Sequence, residues 1–225
     1  MIFASWFQMK AFTVQIFIGG VRPLPQSGRP SGIFKELVKR PLLLGPCGFD
    51  GDVQADLTAH GGPDKAVQLY PVSHYVELER RFEKLRGNLG PGALGENISC
   101  DGLDEHDVRV GDVWRLGQAL LQLSQPRSPC WKIDDKLDCV GVAAAIAQTR
   151  RTGWYWRVIR PGMVEPQDTL QLVEPGNAAF RLSAMLILMQ EENPSRIALQ
   201  DLARAPGIAE NWRRKIEQRL ARMQV

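Results

Sequence analysis

The sequence predicts an α/β protein in which a β-rich barrel or sandwich with flanking helices is followed by a small all-α unit of three helices. Short strand-like runs, each closed by turn residues, occupy most of the chain. Two helix-like segments interrupt these runs, and after Pro175-Gly176 only helical patterns remain. Many short strands at close spacing are typical of barrels and sandwiches.

The first strand is predicted at Thr13–Ile18, where polar and apolar residues alternate as they do in a half-buried strand. Gly117-Gln118 separates two apolar runs and predicts a hairpin turn. The other predicted strands are Ile33–Val38, Ala66–Tyr70, Val108–Leu116, Ala119–Ser124 and Leu170–Val173.

Two helices are predicted inside this β-rich part. Ser73 is the expected N-cap of the first, because apolar residues follow it at spacings of three and four from Tyr75 to Leu85. The alanine-rich segment Val140–Thr149 predicts the second helix.

In the C-terminal part helical patterns replace the strand-like ones, and Pro194 and Pro206 separate the predicted helices. We therefore predict one domain over residues 13–175 and a C-terminal three-helix domain over residues 176–225. Its predicted helices are Ala178–Gln190, Ile197–Ala205 and Ile208–Met223.

Composition excludes several classes of protein. The net charge is only +3, which is no electrostatic footprint for nucleic acid. The four cysteines show no C-x-x-C spacing, so we expect reduced thiols in a cytoplasmic protein. The N-terminal stretch has no basic leader and no long apolar run, so neither a signal peptide nor a membrane span is expected there.

The stretch from Gln125 to Cys130 carries the strongest chemical signal. Pro126 and Pro129 restrict the backbone on either side of Arg127 and Ser128, which is a way to hold a thiol in a fixed place. A neighbouring arginine stabilises the thiolate, the form that binds metals and acts as a nucleophile. A buried thiol after a proline-rich turn is the alternative that the local sequence leaves open.

A second candidate stretch runs from His60 to Lys65. Gly61 and Gly62 allow close approach of the backbone to a ligand, and His60 and Lys65 add polar groups suited to a phosphate or a polar heterocycle. Glycine, proline and aspartate also make ordinary turns, so a purely structural role is the alternative.

Asn97, in Gly95-Glu96-Asn97, both donates and accepts hydrogen bonds, as recognition of a pterin or purine edge requires. The Gly48–Asp52 turn is more typical of a structural element. In the stretch from Gly153 to Val158, core packing is the expected role for at least one tryptophan.

Together these motifs resemble the MOSC domain, in its bacterial YiiM-like type. The resemblance rests on PRSPC ending at Cys130, HGGPDKAV at His60–Val67, GFDGD at Gly48–Asp52, GEN at Gly95–Asn97 and GWYWRV at Gly153–Val158, in that family's order. Phe49 stands where relatives often carry leucine. The helical tail resembles the small three-helix domain of the YiiM-like type.

The resemblance implies a β-barrel-containing fold and a molybdenum cofactor (molybdopterin) whose metal is ligated by Cys130. It places Arg127 and Ser128 beside the metal, and makes His60, Gly61, Lys65 and Asn97 candidates for binding the pterin and its phosphate. It further implies reduction of N-hydroxylated compounds, such as N-hydroxylated purine bases, to amines. His60 or His74 would supply a proton, since imidazole titrates in the useful range.

No iron–sulfur or flavin fingerprint is present, so a separate electron-donating reductase is the expected partner. The sequence does not fix the oligomeric state, and a homodimer is one expectation. One alternative function is a sulfur carrier or cofactor carrier that uses a Cys130 persulfide or thiolate without turnover. A second alternative is a DNA-binding helix-turn-helix formed by Ile197–Ala205 and Ile208–Met223. Acidic residues interleave with the short basic cluster of this segment, which argues against DNA binding.

Overall fold

The computed structural model describes residues 10–57 and 61–223. Most strands are short, and the two longest each have eight residues. The strands in these two ranges are β1 (Ala11–Ile18), β2 (Arg22–Pro23), β3 (Pro30–Ser31), β4 (Glu36–Leu37), β5 (Leu42–Gly45), β6 (Gly48–Phe49), β7 (Val67–Pro71), β8 (Ile98–Cys100), β9 (Val113–Leu116), β10 (Ala119–Pro126), β11 (Trp154–Arg160), β12 (Gly162–Val164) and β13 (Thr169–Glu174).

Seven of these strands close into a barrel. Their order is β13-β9-β10-β11-β7-β8-β1, and pairing of β1 with β13 completes the ring. Only β7 and β8 pair in parallel among the described strands of the ring, and the other pairs are antiparallel. Of the two fold types left open by the strand pattern, the barrel is the one observed.

Helices flank the barrel and follow it. They are α1 (Ser73–Arg81), α2 (Lys132–Leu137), α3 (Val142–Thr149), α4 (Leu182–Leu188), α5 (Arg196–Ala203) and α6 (Glu210–Arg222), with short 3₁₀ turns at Pro63–Lys65 and Glu83–Leu85. None of the helices in the described ranges is both long and apolar enough to cross a bilayer.

Several local predictions differ from the structure. Ser73 does not cap α1: Val72 occupies the N-cap position and no side chain bonds the helix end there. The run Ile33–Val38 contributes only the two-residue strand β4, and Val108–Leu116 is a strand only from Val113 onward. The loop of residues 108–112 instead forms turns, one of them held by the Asp112 carboxylate, which accepts from the backbone N–H of Arg109.

The interior of the barrel is packed with aliphatic and aromatic side chains. Trp154 and Trp156 are completely buried on β11, and Trp156 meets Trp114 edge to face at a centroid distance of 6.0 Å. Such pairs stabilise a core beyond their buried area. The predicted core role for a tryptophan of this stretch is therefore confirmed.

The C-terminal helices pack directly on the barrel. Leu182, Leu199, Trp212 and Ile216 belong to the same hydrophobic cluster as the barrel residue Leu121. Three helices are present as predicted, but they share a core with the barrel, so the division into domains at residue 176 stays a prediction.

The turn between α5 and α6 approaches the barrel at the level of the backbone. Gly207 has φ +86°, and a Cβ at this position would lie 2.6 Å from the Cα of Gly111. Gly111 has φ +86° as well, and its own Cβ would lie 2.5 Å from the carbonyl oxygen of Pro206. Only glycine fits both the dihedral angles and the spacing.

We expect Gly207→Ala to lower the free energy of unfolding by about 2 kcal/mol or more, because it adds a backbone clash to the cost of a positive φ. Gly28→Ala is the matched control, since Gly28 has φ +67° but no atom within 4 Å of its added Cβ. The control substitution should lower the free energy of unfolding by about 1 kcal/mol. Guanidinium denaturation measures both, and equal losses would contradict the close packing of the tail on the barrel.

Candidate active site in a cation-lined cleft

A cleft at one end of the barrel holds roughly 590 Å³ of space between protein atoms, its mouth included. Its walls include the segment from β3 to β4, the segments that precede β7 and β8, and the segment that follows β10, with one residue each from β7 and β11. Among the described residues it is lined by Ser31, Gly32, Ile33, Lys35, Gln54, Ala55, Lys65, Gln68, Gly95, Asn97, Arg127, Cys130, Lys132 and Tyr155.

Cys130 enters the cleft because of how β10 ends. Pairing of β10 with β11 continues to Pro126 opposite Trp154, and the next residue, Arg127, donates its backbone N–H to the carbonyl of Gly153 at 3.0 Å. The chain then turns, and the carbonyl of Cys130 accepts from the N–H of Ile133 as α2 begins. The thiol is therefore held between a strand end and a helix start, half-buried and free of any disulfide.

The cleft is electropositive. Lys35, Lys65, Arg127 and Lys132 line it, and no acidic side chain of the described residues does. Burial lowers the pKa of Lys65, and the charge of Lys215 acts in the same direction while Asp56 and Asp64 oppose it. A group of like charges around a concave space favours the binding of an anion.

A buried ion pair stands behind the cleft. The ammonium of Lys35 donates to the Asp52 carboxylate, and both side chains are about 95% or more inaccessible to solvent. The same carboxylate accepts from the backbone N–H of Gly19 at 2.9 Å and from the side-chain amide of Asn97 at 2.9 Å. Asp52 therefore joins three separate chain segments, and the Gly48–Asp52 turn is structural in this way.

Asn97 is held entirely by protein groups. Its side-chain amide also donates to the carbonyl of Phe17 at 3.2 Å, and its side-chain oxygen accepts from the N–H of Gln68 at 3.2 Å. These bonds use both amide hydrogens of the side chain. The structure thus gives Asn97 a positioning role at the cleft wall, and direct contact with a pterin stays a prediction.

Arg127 is fixed by two neutral acceptors. Its guanidinium donates to the carbonyl of Leu94 at 2.7 Å and to the side-chain oxygen of Gln68 at 3.2 Å. Because neither partner is charged, the full positive charge of Arg127 still acts on the cleft. The charge of Arg127 also affects Tyr155. Burial raises the pKa of the Tyr155 phenol and Cys130 adds to this effect, whereas Arg127 lowers the pKa.

Lys136 fastens α2 to the loops beneath the cleft. Its ammonium donates to the carbonyl of Ala93 at 2.6 Å and to that of Ile33 at 3.1 Å. Burial lowers the pKa of Lys136 to about 8, with Glu96 opposing and Arg127 and Lys35 adding to the effect.

Comparison with known proteins agrees with this architecture. The MOSC domain family matches residues 56–171, slightly more than half of the chain. The chain belongs to the MOSC family. It is 35% identical to protein YiiM of Escherichia coli (strain K12) over 213 residues, which is 92% of either chain.

Solved structures show the same fold over most of the chain. This MOSC protein superposes on the crystal structure of YiiM from Geobacillus stearothermophilus with a TM-score of 0.78 and 32% identity, covering 94% of this chain and 100% of that one. For YiiM from Escherichia coli the TM-score is 0.80 at 29% identity, with 94% and 93% covered. A protein named reductase from Gibberella moniliformis (strain M3125 / FGSC 7600) is 31% identical over 64% of this chain and 26% of its own length.

The structure brings together four residues that sequence reasoning selected, Lys65, Asn97, Arg127 and Cys130. Ser128 is exposed and is not part of the lining, and neither is Gly61. His60 lies outside the described residues, so its predicted catalytic and binding roles stay predictions.

His74 is in a different part of this MOSC protein. It is buried, and its Nε2 lies 2.7 Å from the carboxylate of Glu105, whose other oxygen accepts from the N–H of Gly153. His74 is not part of the cleft lining. Its geometry is that of a core histidine satisfied by a carboxylate, so the hypothesis that it supplies a proton to the cleft is wrong.

The cleft residues that sequence reasoning did not select include Lys35, Gln68, Lys132 and Tyr155. Lys35 and Gln68 lie within runs that were interpreted only as strands, and Tyr155 lies between two core tryptophans. Lys132 is two residues beyond Cys130, and this proximity was the available signal.

Breaking the ion pair from one side should be costly. We expect Asp52→Ala to lower the free energy of unfolding by about 3–5 kcal/mol, because it leaves the Lys35 ammonium buried without its counter-charge. In a Lys35→Met background the same change should cost at least about 1 kcal/mol less. Exposed Asp50→Ala, in the same turn, is the control and should stay within about 0.5 kcal/mol. Strictly additive losses in denaturant titrations would contradict the coupling.

The pKa of Lys136 predicts a pH dependence with a definite sign. Between about 8, its pKa in the folded protein, and the ordinary value of 10.5, the unfolded chain binds more protons, so stability rises with pH. Relative to Lys136→Met, the wild type should gain about 2 kcal/mol of unfolding free energy from pH 7.5 to pH 9.5. Denaturant titrations at the two pH values measure this gain, and a constant or shrinking difference would show that the site leaves Lys136 unperturbed.

Proposed function

We propose that this MOSC protein is a molybdenum-cofactor-dependent reductase that converts N-hydroxylated compounds, such as N-hydroxylated purine bases, to amines. The observation that carries the proposal is the free thiol of Cys130 in the wall of a cleft where, among the residues the structure describes, the charged side chains are all cations. Membership of the MOSC family supports the cofactor, and a relative named reductase supports the reaction type.

The metal-binding side chains of the cleft fit a metal ion whose other ligands come from a cofactor. Within the described ranges no group of three or more histidine, cysteine or carboxylate side chains is arranged to hold a metal ion. The cleft offers one sulfur ligand among the described residues, the thiolate of Cys130, which could complete the coordination of a metal already bound by the sulfurs of a pterin dithiolene.

The charge of the cleft fits the rest of such a cofactor. A pterin dithiolene carries negatively charged sulfurs and a phosphate, and Lys65, Arg127 and Lys132 are the cations that would bind it. Arg127 is already oriented by Leu94 and Gln68, so little side-chain freedom would be lost on binding. The ion pair of Lys35 with Asp52 would keep the wall behind the cofactor rigid.

The proposed reaction consumes two electrons and two protons for each substrate. The N–O bond breaks, the nitrogen keeps its hydrogen and gains a second one, and the oxygen leaves as water. Bound at Cys130, the molybdenum–pterin group supplies the two-electron oxygen-transfer chemistry that amino-acid side chains lack. The protein excludes bulk water, orients the N–OH group and delivers protons, for which His60 is the predicted source.

Cys130→Ser should abolish the function while leaving the fold intact, since the change keeps the shape of the side chain. After expression in a host that makes the cofactor, we expect near-stoichiometric molybdenum and pterin in the wild type. The variant should retain roughly a tenth or less. Reduction of 6-hydroxylaminopurine driven by reduced methyl viologen should be lost in parallel.

Cys139→Ser is the matched control, because Cys139 is also a half-buried free thiol but does not line the cleft. Wild-type protein that binds the cofactor without viologen-driven turnover would favour the carrier function instead. Wild-type protein with neither metal nor pterin would remove the cofactor proposal.

A further inference from the structure

The C-terminal helix α6 is fastened to the segment that carries Lys65. The backbone N–H of Ala209, the residue before α6, donates to the carbonyl of Ser124 on β10 at 2.9 Å. The hydroxyl of Ser124 lies 2.6 Å from the carbonyl of Asp64 and is buried. One residue, Ser124, therefore connects the start of α6 to the cleft wall, and the backbone contact between Gly111 and Gly207 fixes the same turn.

This attachment brings a further lysine toward the mouth of the cleft. Lys215 lies on α6 less than two helical turns beyond Ala209. Its charge is the largest electrostatic influence on Lys65, whose pKa it lowers. The positive charges of the cleft thus continue outward onto the tail, and we call Lys65, Lys132 and Lys215 the cationic rim.

Lys215 differs from its basic neighbours on α6. Arg213 and Arg214 both pair with Glu210, at 3.9 Å and 3.0 Å. Lys215 forms no ion pair with the described residues; its ammonium lies 4.8 Å from the ring centroid of Trp212 and is exposed on the outer surface of the helix. The exposed ammonium of Lys215 adds a positive charge within electrostatic range of the cleft, and this charge favours a partner that brings negative charge.

The proposed reaction identifies what that partner delivers. Two electrons per substrate must enter from outside, and the mouth of the cleft is where the cofactor can be approached. The exposed ammonium of Lys215 is poorly placed to enclose a small anion but well placed to meet an acidic protein surface. Charges of this kind accelerate the association of two proteins.

We propose that the cationic rim docks the acidic surface of an electron-donating protein, with Lys215 of α6 as the steering charge. This inference rests on the proposed function. The tail is then part of the electron-entry site, and the basic cluster that a helix-turn-helix would present to DNA is instead turned toward a protein.

The test uses the cofactor-loaded protein and two electron donors with opposite charge. Reduced flavodoxin is an acidic protein that gives up one electron at a time, so two are oxidised per substrate; reduced methyl viologen is a small cation. For Lys215→Glu we expect kcat/KM for flavodoxin to fall about tenfold at low salt, and the loss to shrink as ionic strength rises. Viologen-driven turnover should stay nearly unchanged.

Lys39→Glu is the matched control, because it makes the same charge change at an exposed lysine that does not line the cleft. An equal loss in this control, an equal loss with both donors, or unchanged turnover with flavodoxin would overturn the proposal. Absence of viologen-driven turnover in the wild type would instead remove the proposed function. Binding of oxidised flavodoxin, measured by calorimetry, then decides the docking surface alone: weaker binding by Lys215→Glu supports it, and equal binding overturns it.

Discussion

The buried ion pair between Lys35 and Asp52 is the interaction on which the cleft depends. A buried pair of charges is stable only when its remaining hydrogen-bonding capacity is satisfied. Here the Asp52 carboxylate meets that condition with Gly19 and Asn97, which lie on two other chain segments. Burial lowers the pKa of Lys35 while Asp52 opposes this effect. The pair therefore ties Lys35, which lines the cleft, to the segments that carry Asp52, Gly19 and Asn97. A shift of one of these segments would leave a buried group without its partner.

Other charged side chains near the cleft are also held by hydrogen bonds to groups of the protein. Arg127 and Lys136 donate mostly to backbone carbonyls. The Glu96 carboxylate accepts from the backbone N–H of Gly92 and from the hydroxyl of Ser99 on β8. Among the described residues, cationic side chains line the cleft and carboxylates do not. A site assembled in this way keeps an anion-binding potential although the whole chain carries a net charge of only +3. The sign of the local field is set by the fold rather than by composition.

Much of the fold and part of the site could be predicted from local patterns. The alternation in β1, the hairpin at Gly117-Gln118 and the proline-framed Cys130 are local signals, and the structure contains each of them at the expected position. Lys35 and Tyr155 could not be selected, because their roles arise from contacts between separate segments of the chain. Asp52 with Lys35, and Trp154 opposite both Leu69 and Pro126, join residues far apart in the chain. Periodicity carries no information about such contacts.

The packing of the C-terminal helices could not be predicted from local patterns either. The change from strand-like to helical sequence patterns at residue 176 correctly predicts three helices. Such patterns do not show what the helices pack against. In the structure Trp212 and Ile216 are part of the barrel's own hydrophobic cluster, and Ala209 is hydrogen-bonded to β10. A helical unit held this way cannot move without disturbing Ser124 and, through it, the carbonyl of Asp64. Because Lys65 follows Asp64 directly, the packing of the tail and the charge at the mouth of the cleft are set together.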